Sequence, residues 1–312
     1  MTTSKILVTG AAGRIGGTGR FVAQALLKQG YAVRAFVRTH DERSQRLATL
    51  GAELFVGDLL DIPTVQTALQ GIGRAYFCYP VADTLLQAAT TFAAAAQAVG
   101  LEAVVNLSQL AATPQTTSPA SRQHWLAERV LDWATRGAIH LRPLFFMENL
   151  LAFARASIIS QGTFSLPYGN RETAMIAAED VARVAVTVLT DPQPHLGKSY
   201  PISGEKALSM QEIAATFSHV LRKPVKYMEI PTEVWPTILA ERIGASPYLV
   251  AHFSALDKGR RETPDDLIPE REQGRETVRT LTGIEPLPLE AFIRRYAQAF
   301  GGSAGAEVQD LA

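Results

Sequence analysis

Cysteine is nearly missing from this sequence: Cys78 is the only one in 312 residues, so neither an intrachain disulfide nor a cysteine-rich metal site can form. Net charge is missing too, because 30 Lys and Arg balance 30 Asp and Glu, and no basic surface for a nucleic acid is expected. No apolar run approaches the ~20 residues of a membrane span. The Ala-rich stretch from Leu85 to Val99 is interrupted by Gln87, Thr90, Thr91 and Gln97, and reads as an amphipathic or largely buried helix. The first apolar run begins within a few residues of Met1, too early for a signal peptide. These absences predict a cytoplasmic chain without a nucleic-acid or membrane partner. The six histidines form no ligand-spaced cluster, so no metal is expected.

What the chain does have is a distinctive beginning. Ile6, Leu7 and Val8 suit a strand buried on both faces of a parallel sheet, and Phe21, Val22, Ala25, Leu26 and Leu27 recur at helical spacing. Between them stand Gly10, Ala11, Ala12, Gly13, Arg14, Ile15 and Gly16. Strand, glycines and helix in this order form a dinucleotide-binding turn. The first glycine leaves the strand tightly, the second lets backbone approach a pyrophosphate, and the third lets the helix pack on the strand. The helix N-terminus offers its free N–H groups to the phosphates. These jobs fall to Gly10, Gly13 and Gly16, with Ala12, Arg14 and Ile15 beside the phosphates. Gly17-Thr18-Gly19 follows, so Gly13, Gly16 and Gly19 form a second triplet. Gly10 is preferred as first member because it abuts the strand, and Gly-Thr-Gly then loosens or extends the first helical turn.

Strands and helices keep alternating as far as Pro143, which argues for a doubly wound parallel sheet with right-handed crossovers. Tyr31 to Arg38 reads as the second strand. At its tip a carboxylate would bind the adenosine ribose of NAD and repel a 2′-phosphate, but Arg38 stands there, and a guanidinium fork matches the phosphate. NADP(H) is therefore expected over NAD(H), against the alternative of a solvated arginine. Glu53 to Val56 reads as the third strand, ending at Gly57-Asp58-Leu59. Arg74 to Pro80 reads as the fourth strand and its exit, which places Cys78, Tyr79 and Pro80 in the trough beyond the carboxyl ends of the strands. Ala103 to Ser108 and Ala138 to Pro143 supply the fifth and sixth. Phe145, Phe146, Asn149 and Phe153 then fall in an aromatic segment that is either core or the wall of a substrate pocket.

The Gly-x-x-Gly-x-x-Gly spacing is similar to that of the short-chain dehydrogenase/reductase superfamily in its extended and atypical branches. Together with Ser108, His124-x-x-x-Glu128, Leu141-Arg142-Pro143 and Asn149, it makes the chain resemble the NmrA-like atypical short-chain reductases up to about Phe300. That group includes NAD(P)H quinone reductases, triphenylmethane-dye reductases and cofactor-sensing regulators. The resemblance implies that Asp58 accepts from the adenine amino group and Leu59 covers the ring, the alternative being that Asp58 caps the next helix. It also implies that Ser108 and Pro143 lie along the cofactor. Members that act on alcohols and ketones carry Tyr-x-x-x-Lys after the fifth strand, with Tyr as acid/base and Lys lowering its pKa. No such pair exists here. His124 and Glu128 stand in its place, one turn apart on one helix face. Either His124 and Ser108 act in catalysis with Glu128 orienting the imidazole, or the pair only holds the helix.

The expected architecture is a Rossmann domain over residues 1–150, rejoined by 176–205. A smaller substrate lobe takes 151–175 and 206–300, and 301–312 forms a disordered tail. In the smaller lobe Ser209 and Glu212 have capping-box spacing. The missing tyrosine is no obstacle to hydride transfer from NADPH to a quinone-like or other conjugated acceptor, whose product is stabilised and takes its proton from water. The alternative is a non-enzymatic sensor of the cofactor. A monomer and a homodimer are both open. Arg38→Glu should weaken NADPH roughly tenfold more than NADH in a fluorescence titration, as one charge-assisted phosphate contact warrants. Equal loss of both would show that Arg38 does not touch the 2′-phosphate.

Overall fold

Ile6 and Val8 face one hydrophobic core while Leu7, between them, faces another, and all three are fully buried. A strand can alternate between two cores only inside a sheet covered on both sides. The computed structural model describes residues 5–13, 17–262 and 270–302. In chain order, β1 (Lys5–Val8), α1 (Thr18–Lys28), β2 (Val33–Val37), α2 (Glu42–Thr49), β3 (Glu53–Val56) and α3 (Ile62–Ala68) build the first half of the sheet. Then β4 (Ile72–Phe77), α4 (Leu85–Val99), β5 (Ala103–Leu107), α5 (Pro119–Ala134) and β6 (Ile139–Pro143) build the second.

The chain then leaves the sheet through α6 (Asn149–Phe153), α7 (Arg155–Gln161), β7 (Thr163–Leu166) and β8 (Glu172–Thr173). It returns as α8 (Ala178–Thr190) and β9 (Ser199–Ile202). It departs again through β10 (Leu208–Ser209), α9 (Met210–Leu221), β11 (Lys226–Glu229), α10 (Trp235–Ile243) and α11 (Pro247–Glu262). The last helices are α12 (Glu270–Thr282) and α13 (Leu289–Arg295).

The strand order is β3-β2-β1-β4-β5-β6-β9, with every neighbouring pair parallel. The order reverses between β1 and β4, so the crevice for a ligand opens beyond the carboxyl ends of these two strands. On one face α1 and α8 bury Val22, Leu26, Val181 and Val188; on the other, α4 and α5 bury Phe92, Ala96 and Leu131.

A separate core gathers Leu150, Ile158, Phe164, Phe217, Trp235, Phe292 and Phe300 outside the sheet. It belongs to the smaller lobe, whose α9 starts with the capping box of Ser209 and Glu212. The sequence reading put all of 206–300 in this lobe. In the structure α12 lies against α8 and β9 instead, and Val278 joins the sheet's core. Where the chain passes between lobes, its segments lie side by side. Leu144 N–H donates to Ile202 O at 2.8 Å, Met147 N–H to Ile176 O at 2.9 Å, and Gly204 N–H to Ala174 O at 3.0 Å.

The turn after β1 departs from expectation in one respect. Helix α1 begins only at Thr18, with Gly17 as its N-cap. The close approach to the strand, expected at Gly16, is made by Gly19, where a Cβ would stand 2.6 Å from Thr9 O. Gly16 itself lies outside the described residues, with Arg14 and Ile15. Gly19→Ala should therefore force α1 off β1 and cost about 1–3 kcal/mol, the usual penalty of overpacking. A thermal melt coincident with that of the parent would refute this contact.

Candidate functional site

The crevice is built from the turn outward. Gly10 has φ 68°, in the left-handed region that a side chain resists, and a Cβ there would sit 3.0 Å from Cys78 Sγ. Thr9 ties the two strand tips together: its hydroxyl donates to Cys78 O at 2.8 Å and accepts from Cys78 N–H at 2.7 Å. Gly13 N–H closes the turn onto Gly10 O at 3.1 Å. Burial pushes the Cys78 thiol up to about 11, so it stays a protonated, unreactive wall of the trough.

Helix α1 then presents its N-terminus without a side-chain cap and without an acidic residue in its first turn. Asp41 caps α2, Asp61 caps α3, Ser118 caps α5 and Ser209 caps α9, whereas α4, α6, α7, α8, α10 and α13 lack a side-chain cap as α1 does; what sets α1 apart is its place behind the glycine turn at the switch point. An uncapped helix end at the switch point, behind a turn that has no room for a side chain, fits a phosphate group.

Arg38 stands just beyond β2, exposed and without an ion-pair partner among the described residues. At the β3 tip Asp58 is exposed and accepts from Leu60 N–H at 2.9 Å, while Leu59 is buried. The alternative role for Asp58 does not hold, since Asp61 is the cap of α3. Tyr79 hydrogen-bonds through its hydroxyl to Thr84 at 3.1 Å, and Pro80 is exposed.

On the other side of the crevice the i, i+4 pair separates. Glu128 is fully buried, yet it does not orient His124. Its carboxylate accepts from Arg142 Nε at 2.8 Å and Nη2 at 2.5 Å, and from Arg129 at 3.3 Å. Such a bidentate fork consumes the carboxylate and locks α5 to β6, just before Pro143. A further chain runs inward, from Asn106 Nδ2 to His140 Nδ1 at 3.1 Å and from His140 Nε2 to Asp132 at 3.0 Å. His124 is buried beside His252 of α11, and burial with that neighbour lowers its pKa to about 3. It is neutral at any ordinary pH. His252 is lowered by burial to about 4, and its Nδ1 shares a hydrogen bond with the Ser118 hydroxyl at 2.7 Å. Ser108 is buried with no partner for its hydroxyl among the described residues.

The aromatic segment divides. Phe146 packs on the sheet's core and bridges to Ile176, whereas Phe145 faces the smaller lobe. Phe145 lies 6.1 Å from Phe153, which meets Trp235 and Phe253 edge-on at 5.8 and 5.3 Å. Asn149 opens α6, partly exposed. Beside them Glu148 accepts from Ala178 N–H at 3.0 Å, and burial raises its pKa to about 7. The sequence reading missed Trp235, His252 and Phe253, because lobe docking leaves no local spacing signal. A cavity of about 460 Å³ between Phe21, Asp180, Arg183 and Leu287 contains none of the expected site residues. Among the described residues no helix is long and apolar enough to cross a membrane, and no cluster of three metal-ligating side chains occurs.

Parallel sheet, reversed strand order and uncapped α1 define a Rossmann-type α/β protein with an anion cradle at its switch point. The chain belongs to the NmrA-like family, whose profile matches residues 2–262. It is 33% identical over 230 residues to an NAD(P)H azoreductase of Xenophilus azovorans, covering 73% of this chain and 78% of that protein. It is 30% identical over 298 residues to the (4-alkanoyl-5-oxo-2,5-dihydrofuran-3-yl)methyl phosphate reductase of Streptomyces griseus, covering 95% and 99%. An NADPH-dependent quinone oxidoreductase of Escherichia coli, solved with NADPH, shares the fold with a TM-score of 0.78 at 23% identity, covering 92% and 98% of the two chains.

The buried ionisable groups make stability pH-dependent in a known direction. Folded His124 and His252 refuse protons that the unfolded chain accepts below about pH 6.5, so acidification from there to about pH 4 is destabilising. Glu148 acts oppositely, since its raised pKa makes the folded state bind a proton first as pH falls through about 7. Thermal midpoints should therefore fall between about pH 6.5 and 4.5, and fall more steeply in Glu148→Gln, which removes the opposing proton. A variant profile parallel to that of the parent would place Glu148 in water.

Proposed function

We propose that the chain is an NADPH-dependent reductase of quinone-like or other conjugated small molecules. The observation that carries this reading is the uncapped N-terminus of α1 behind Gly10, facing the crevice at the reversal of strand order. The relatives named above support it, since azo bonds, an unsaturated lactone and quinones are all conjugated acceptors.

When bound, NADPH supplies a hydride. The first-turn N–H groups of α1 and the Gly10 to Gly13 turn would hold the pyrophosphate, and Arg38, with no ion-pair partner among the described residues, would take the 2′-phosphate. Asp58 and Leu59 receive the adenine at the β3 tip. Cys78, Tyr79 and Pro80 wall the trough, and Ser108 and Pro143 flank its nicotinamide end. Phe145, Phe153 and Phe253 offer the acceptor an aromatic, apolar wall. His124 has no imidazolium proton to give, so the reduced acceptor would take its balancing proton from water. Glu128 and Arg142 neutralise each other and hold α5 in place.

Fluorescence titration with NADPH and NADH, followed by naphthoquinones and azo dyes while the reduced nicotinamide band is watched, tests this directly. NADPH should bind at least about tenfold more tightly than NADH, with turnover of one or more acceptors. Tight binding without turnover across the panel would replace the reductase reading with that of a cofactor sensor.

A further inference from the structure

Helix α11 of the smaller lobe carries a phenol, Tyr248. The Tyr248 hydroxyl is buried and has no hydrogen-bond partner among the described residues. Folded proteins rarely leave such a group orphaned, and the exceptions are often places where a ligand completes the bond. Its surroundings give the hydroxyl a location. Four residues on, one turn along the same helix face, His252 is hydrogen-bonded to Ser118, the N-cap of α5. The next residue, Phe253, meets Phe153 of the aromatic wall. On the sheet side, Tyr248 lies within the field of the Asp83 carboxylate. Asp83 follows the β4 tip, and its carbonyl accepts from Gln123 at 2.9 Å, one residue before His124. The phenol therefore stands where the β4 exit, the first turns of α5 and the aromatic wall converge.

We infer that Tyr248 donates the hydrogen bond that anchors the acceptor atom, a carbonyl oxygen or an azo nitrogen, of a planar conjugated substrate. The inference rests on the reductase reading above. It gives the smaller lobe the phenol that α5 lacks, since no Tyr-x-x-x-Lys occurs in the chain. Burial and the Asp83 carboxylate both hold the phenol protonated, so it remains a donor at neutral pH. No proton transfer is required of it.

Tyr248→Phe separates this role from a structural one, because it keeps the ring and deletes only the orphan oxygen. The cofactor-free variant should melt at the parent's temperature or above it, since no bond within the fold is lost. Its NADP⁺ affinity should be unchanged. With NADP⁺ bound, so that no hydride is available, its affinity for a methylnaphthoquinone, read by tryptophan quenching, should fall about tenfold. With NADPH, kcat/KM should fall by a similar factor. Quinone affinity and kcat/KM both within twofold of the parent would overturn the inference, and so would a clearly lowered melting temperature. If the parent binds the quinone without reducing it and the variant binds it tenfold more weakly, the anchor stands and the reductase reading fails.

Discussion

Helix α1 reaches the tip of β1 because Gly19 brings no side chain between them, and much of the site follows from that one contact. With the helix seated on Thr9 and Gly10, its free N–H groups open onto the crevice between β1 and β4. Thr9 then fixes the Cys78 backbone with two hydrogen bonds, so the floor of the trough and the helix that closes it share one anchor. A side chain at Gly19 would displace the phosphate cradle as a unit, since the helix end and the Gly10 turn meet at that glycine.

The opposite wall obeys electrostatics. A buried carboxylate such as Glu128 is tolerable only when matched, and Arg142 and Arg129 match it. Removing either member of a buried pair of this kind generally costs about 3–5 kcal/mol. The place taken by an acid/base pair in alcohol-active reductases is thus filled by an ion pair that fixes α5 on β6 and by an imidazole kept neutral through burial. Hydride acceptors that stabilise their own product suit such a wall.

Much of the fold was legible in the sequence because its signals are local. Continuous apolar runs marked the six strands from β1 to β6, and Ser209 with Glu212 marked the start of α9. The onset of α1 was harder to read, since the run from Gly10 to Gly19 holds several equivalent glycine triplets and only the strand's position decides among them. His124 and Glu128 share a helix face, which periodicity shows; that Glu128 turns to β6 depends on Arg142, a neighbour in space alone. The same holds for Ser118 with His252 and for Phe153 with Phe253. Those contacts join residues over 90 positions apart, and no spacing rule reaches so far.

The hydrogen-bonded crossing between the lobes also has a mechanical meaning. Leu144, Met147 and Gly204 pair with Ile202, Ile176 and Ala174, so the connecting segments form a narrow ribbon rather than separate tethers. A ribbon of this kind resists stretching and bending across its bonds and yields most readily to torsion along its length. Phe145 and Glu148 adjoin these crossings, and α11 is pinned to α5 by the buried Ser118–His252 bond, so any such twist of the cleft must first break that bond.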